Sequence, residues 1–249
     1  MRPEWSGLTP QTRLRTHSPT PLVVSTAGRG APSGALAFWG ASLRTVVYVD
    51  GFNLYYRALK GTRYKWLDLL ALFKNVLQPH HDIVKIKYFT ARVSATAADP
   101  SQPQRQDVYL RALQAYRPEV EVFFGHFLSH KVRAPLANPG NGPKTVEIIK
   151  TEEKGSDVNL AVHILNDGWL GTYECAIVVT NDSDIAEAMR LVREHNSKRI
   201  GLITPGNSHP SRQLLTHADF SRHIRTSALQ NSQLPDPIPG TNLTKPPSW

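Results

Sequence analysis

The chain has a single cysteine among its 249 residues, Cys175. A lone thiol inside an apolar run excludes a disulfide framework within the chain and fits a reducing, cytoplasmic setting. Long hydrophobic runs are also missing. No stretch reaches the roughly 18 apolar residues of a membrane-spanning helix, so no membrane partner is expected. Acid is scarce at one end: residues 1–49 hold five arginines and one acid, Glu4, and so carry +4 of the formal charge of +9. The excess points to an anionic partner, but the rest of the chain is only mildly basic, which makes charge by itself a weak argument for nucleic acid. The ten histidines are scattered and show no zinc-ligand spacing with the one cysteine.

What is present is an alternation of buried-strand and helix patterns between two segments of biased composition. Residues 1–43 are rich in Ser, Thr, Pro, Gly and Arg without a sustained period and read as a disordered extension. Residues 229–249 read as a disordered proline-rich tail, too interrupted for a helix or a central strand. The domain between them spans 44–228. Strands are expected at 45–49, 83–90, 120–124, 175–179 and 199–204. Helices are expected at 66–77, 104–116, 156–166, 184–195 and near 208–216, with an irregular loop over 134–144. Strands separated by helices imply βαβ units and a mainly parallel sheet. In such sheets ligands bind beyond the carboxyl ends of the strands.

Acids stand at those ends. The apolar run 45–49 stops at Asp50, with Gly51 read as a tight turn and Asn53 reaching back to the same edge. The run Cys175-Ala176-Ile177-Val178-Val179 leads into Thr180, Asn181, Asp182, Ser183 and Asp184. In "KTEEKGSDVNLAVHIL", Ser156 is a plausible N-cap, and Asp157 shares a helix face with Leu160, Ala161 and Ile164. Each acid has an ordinary explanation. Asp182 or Asp184 could cap the next helix, Asp184 with Glu187 fits a capping box, Asp157 suits a helix N-terminus, and Asp50-Gly51 could be a turn. Together they converge on one edge, where like charges repel and raise one another's pKa. A hard divalent cation, Mg²⁺ or Mn²⁺, relieves that conflict and prefers carboxylate oxygen.

Three segments, "VYVDGFNLYY", "EEKGSDVNLAVHIL" and "VVTNDSDIAEAMRLV", together resemble the NYN domain family, a branch of the PIN-like nucleases; "ADFSRHI" at 218–224 resembles its closing segment. The resemblance spans roughly 44–225. It implies a Rossmann-like, three-layer α/β/α PIN-like fold with a mainly parallel central sheet, and a metal-dependent ribonuclease acting on single-stranded RNA. Carried over position by position, Asp50, Asp157, Asp182 and Asp184 would be the metal-binding acids, with Asn53 and Lys154 beside them in catalysis. Glu153, Thr180 and Ser183 fall at supporting positions. Lys154 and, more weakly, Arg92 are candidates to hold a phosphate. Lys85, Lys87, Arg105, Arg111, Arg190 and Arg193 could steer a nucleic-acid backbone, although solvated faces explain most of them. Phe52, Tyr55 and Tyr56 could stack on bases or simply pack a helix. Two alternatives stand beside the nuclease: a non-catalytic RNA-binding or regulatory module, and an aspartyl phosphatase. The second is disfavoured because Phe52 occupies the position where a general acid would be wanted.

Overall fold

A computed structural model describes residues 42–140, 142–247 and 249. The expected disordered extension over 1–43 lies outside the described residues except at its end, where Leu43 already begins the first strand. Seven strands form one sheet in the order β4-β3-β2-β1-β5-β6-β7, parallel throughout except for the antiparallel β3–β4 pair. The strands are β1 Leu43–Asp50, β2 His81–Ala91, β3 Val120–Pro135, β4 Thr145–Lys154, β5 Cys175–Val179, β6 Arg199–Thr204 and β7 Phe220–His223. The α-helices are α1 Gly51–Leu54, α2 Leu69–Val76, α3 Gln102–Tyr116, α4 Ser156–Trp169, α5 Ala186–Asn196, α6 Arg212–Thr216 and α7 Thr226–Gln230. No helix among the described residues is long and apolar enough to cross a membrane.

The unbroken apolar character of β1 and β5 follows from their central position. Val47, Val49, Ile177 and Val179 pack into a core with Leu69, Phe73, Tyr109 and Leu113 of α2 and α3. Val46, Tyr48, Ala176 and Val178 pack into a second core with Leu160 and Ile164 of α4 and Met189 and Val192 of α5. With both faces covered, neither strand shows a polar alternation. Cys175 is fully buried and its thiol is pushed up to about 12, chiefly by desolvation, which leaves it inert. Asp167, also buried, ties α4 to the sheet: it accepts from the Tyr48 hydroxyl at 2.7 Å and from Lys87 Nζ at 2.5 Å. His163 lies against Phe123 and Phe89, a packed ring.

Several elements differ from the sequence reading, each for a local reason. The helix expected from residue 66 starts at Leu69, because Asp68 caps it by accepting from the Ala71 amide at 3.1 Å. Trp66 and Leu67 instead lie extended beside Gln233 and Leu234. The strand expected to stop at 124 runs on to Pro135, so the expected loop over 134–144 is the tip of a hairpin whose return strand is β4. Almost all of β4 is exposed, so it carries no buried face to generate an alternating pattern. The short elements β7 and α7 were also missed.

The proline-rich segment requires a correction. As the prolines demand, the described residues of 233–249 form no helix and no strand beyond the isolated bridge of Gln233 to Leu67, yet Leu234 is 4% exposed and Ile238 1% exposed. Both belong to the core of α2 and α3, and Leu243 and Trp249 pack against it. Few but large apolar side chains anchor a segment whose backbone cannot join a ladder. Ile238→Ala is therefore expected to lower stability by about 2–5 kcal/mol, the range for truncating a buried aliphatic side chain. Urea denaturation of the full chain checks this; a change near zero would mean that the segment is not seated on the core.

Candidate active site

The chain runs outward from β1 through β2, β3 and β4 on one side and returns to β5 on the other, so the carboxyl ends of β1 and β5 flank a topological switch point. A cleft opens there. Asp50, Asn53, Asp157, Asp182 and Glu153 line it, together with Phe52, Tyr56, Arg57, Phe127 and Ser156.

Asp50 ends β1 at 5% exposure. One carboxylate oxygen accepts from the Asn53 amide at 2.9 Å, capping α1, and the other accepts from the Thr180 hydroxyl at 2.9 Å. Burial still raises its pKa from the ordinary carboxylate range, helped by Asp182 and Glu153 and opposed by those two hydrogen bonds. Gly51 starts α1 rather than making a left-handed turn. It is required for closeness instead, since a Cβ there would lie 2.7 Å from the Phe89 carbonyl oxygen and the Tyr88 ring. Asn53 Oδ1 accepts from the Asn181 amide at 3.0 Å, so this side chain joins the start of α1 to the segment after β5.

That segment is organised by Asp182. Its amide donates to Thr180 Oγ1 and its carboxylate accepts from the Asp184 amide, both at 3.0 Å. Asp182 is thus a cap as well as a cleft residue. The expected capping box of Asp184 and Glu187 does not form: α5 has no side-chain cap, and Glu187 pairs with Arg190. Asp184 itself is exposed and does not line the cleft, although its charge reaches Asp157.

The third side of the cleft is the β4–α4 junction. Gly155, at φ 96°, occupies the N-cap position in place of the expected Ser156, a left-handed conformation that glycine adopts without strain. Glu153 does the capping, accepting from the Ser156 amide at 3.1 Å and its hydroxyl at 2.7 Å. Asp157 is half-buried in the first turn of α4. Its pKa is pushed up to about 6, first by desolvation and then by Asp50, Asp182, Glu153 and Asp184.

Other expected residues are placed elsewhere. Strand alternation turns Lys154 away from the Glu153 side, where its Nζ lies 3.2 Å from Glu152. Arg92 pairs with Asp107 at 3.1 Å and stacks over Phe124. Lys85, Lys87, Arg105, Arg111, Arg190 and Arg193 each pair with an acid. Ser183 sits in the 3-10 turn after Asp182. The sequence reading passed over Arg57 and Phe127, which line the cleft. Arg57 lies in a π-helical turn, Tyr55–Leu59, and Phe127 on the long part of β3, neither of which has a periodic signature.

Among the described residues, none of the cleft acids takes part in an ion pair with Lys or Arg. The donors are carboxylate and amide oxygens, the chemistry of a hard divalent cation. As placed, however, no three or more His, Cys, Asp or Glu side chains among the described residues come close enough to hold a metal ion. The mutual repulsion at Asp157 is the feature that a bound cation would relieve.

Fold and site together define an α/β protein with an acidic cleft at the carboxyl edge of a parallel sheet. The chain belongs to the NYN domain family, whose model matches residues 44–224. It is 37% identical over 237 residues to 6-hydroxy-3-succinoylpyridine 3-monooxygenase HspA of Pseudomonas putida, an alignment covering 83% of this chain and 75% of that protein. A crystal structure of a Vibrio parahaemolyticus protein of unknown function superposes with a TM-score of 0.48 at 18% identity, covering 78% of this chain and 97% of the other.

Asp157 binds a proton in the folded chain at pH values where the unfolded chain has lost it, because its pKa rises from 3.8 to about 6. Its contribution to stability therefore falls as pH rises through that window. Asp157→Asn should remove this fall and, in chelator at pH 7–8, raise the melting temperature by about 2–4 °C. Thermal melts of both proteins between pH 4 and 8 check it; equal pH profiles would contradict the electrostatic account.

Proposed function

We propose that the chain is a metal-dependent ribonuclease hydrolysing phosphodiester bonds of single-stranded RNA, built on a three-layer PIN-like arrangement. The observation that carries this reading is the cleft itself: four carboxylates, Asp50, Asp157, Asp182 and Glu153, line one concavity without Lys or Arg ion-pair partners among the described residues. A Mg²⁺ or Mn²⁺ ion held by Asp50, Asp157 and Asp182, some of them through water, would supply a more acidic water and neutralise charge developing on the scissile phosphate.

The remaining roles fall to the chain's own groups. Thr180 and the Asn53 amide hold the Asp50 carboxylate in one orientation. Asn53 keeps the β5 end in register with α1 through Asn181. Glu153 orients the first turn of α4, and with it Asp157. Arg57 is the cation of the cleft, with its guanidinium 3.4 Å from Ser208 Oγ, and can receive a phosphate oxygen. This assigns to Arg57 the phosphate contact expected of Lys154.

A second reading is favoured by the 37% identity to a protein named as a monooxygenase. Under it, the same cleft would serve oxygenation of a small heteroaromatic acid, with dioxygen as oxidant and an added reductant.

Labelled single-stranded RNA incubated with Mn²⁺ or Mg²⁺ should be cleaved, and EDTA should abolish the cleavage. Asp182→Asn should lower the rate at least ~100-fold, the scale on which loss of one electrostatic stabiliser acts, while folding stays cooperative. Mn²⁺ should raise the melting temperature of the wild type more than that of Asp157→Asn. Wild-type cleavage rates in both Asp50→Asn and Asp182→Asn would overturn the site. Reductant-dependent oxygen uptake with 6-hydroxy-3-succinoylpyridine, in the absence of RNA cleavage, would establish the second reading.

A further inference from the structure

A second cavity opens on the other side of α1 from the acidic cleft. The two share Phe52 and Tyr56 as a common wall, with the rings 6.4 Å apart and nearly parallel. The cavity offers about 80 Å³ to water centres, where a single water takes ~10–15 Å³. It has room for several waters or one ring. Tyr55, Tyr88, Tyr109 and Trp249 supply aromatic walls, and the Tyr109 and Trp249 rings lie 5.6 Å apart. Tyr55 and Tyr56 stand on the π-helical turn, an irregularity often found at functional sites.

Three polar groups of this cavity lack partners among the described residues. Trp249 Nε1 is buried and has no hydrogen-bond partner among the described residues. The Tyr88 hydroxyl, which is not fully buried, lines the cavity and makes no hydrogen bond to them either. Lys65 lines the cavity and takes part in none of the ion pairs among the described residues. By contrast, Arg105 is committed to Asp99, Gln106 to Ala91 and Val93, and the Tyr109 hydroxyl to Leu67. A native fold seldom leaves buried donors unpaired unless a ligand or water completes them.

We propose that this cavity binds a flat heteroaromatic ring bearing acceptor atoms and an anionic substituent. The ring stacks among the tyrosines, its acceptors take the Tyr88 hydroxyl and Trp249 Nε1, and Lys65 meets the negative charge. Two sources share that chemistry: a nucleobase with its phosphate, presented by a strand threading the cleft, and a free heteroaromatic acid. The site holds whichever reaction the acidic cleft performs.

Isothermal titration of the full chain in EDTA, where no metal-dependent turnover intervenes, tests this with AMP, UMP and pyridine-3-carboxylate as probes. At least one probe should bind below ~1 mM. Tyr88→Phe and Lys65→Gln should each weaken it ~3–10-fold, the effect of losing one hydrogen bond or charge contact. Val93→Trp, which fills the cavity from its rim, should abolish binding. Binding of the nucleotides alone identifies the source as a nucleic acid base; binding of pyridine-3-carboxylate alone identifies a free acid. Asp182→Asn should bind the ring as the wild type does, so loss of the reaction and loss of the pocket are separable. Failure of all three probes to bind, or wild-type affinity in Val93→Trp, overturns the proposal.

Discussion

The hydrogen bond from Thr180 to Asp50 joins the carboxyl ends of two neighbouring strands at the point where the sheet changes direction, and the geometry of the cleft depends on it. Both groups are buried, at 0% and 5% exposure, so neither can exchange its partner for bulk water. The strands behind them cannot slip, since a one-residue shift would exchange the side chains of the two cores. Asn53 repeats the link from the other direction by accepting the Asn181 amide. Asp50 and Asp182 thus stand on a frame whose position is set by the packing of Val46 to Val49 and Ala176 to Val179.

That frame holds charge in an unfavourable place. Burial and neighbouring carboxylates raise the pKa of both Asp50 and Asp157, and no basic side chain among the described residues closes an ion pair with them. Elsewhere the fold behaves differently. Buried Asp68 is matched by Arg117, and buried Asp167 by Lys87. Arg92, Arg105, Arg190 and Arg193 are among the other basic residues that pair with acids. The cleft is therefore an exception among the buried acids, maintained against electrostatic cost, and the proposed function rests on it.

The central part of the molecule was largely legible in its sequence. β1, β5 and β6 are buried on both faces, so their apolar runs could be read with little ambiguity, and α3 and α4 carry the periodicity of helices with one face on a core. Legibility failed where burial is absent or comes from few residues. The β3–β4 hairpin is solvent-exposed along most of its length, and β4 in particular leaves no alternating pattern. Proline content excluded helices among the described residues of 233–249 but did not reveal that Leu234 and Ile238 would be drawn into the core. In the site, Asp50 and Asp182 could be read from the buried strands they follow, and Asp157 from the apolar helix face it shares with Leu160 and Ile164. Lys154 misled because a one-residue difference in strand phase reverses its direction relative to Glu153.

By itself, the sequence determined the order of the central strands and the helices packed on them, the burial of those strands and the identity of the acids at their ends, because hydrophobic periodicity and chain order are local properties. Tertiary structure alone decided which of those acids share a cleft, that Arg57 is the cation beside the acids, and that an aromatic cavity lies behind α1. These depend on register, on strand phase and on contacts between residues more than a hundred positions apart, such as Asp50 and Thr180. No local pattern encodes such contacts, since they exist only once the sheet has assembled.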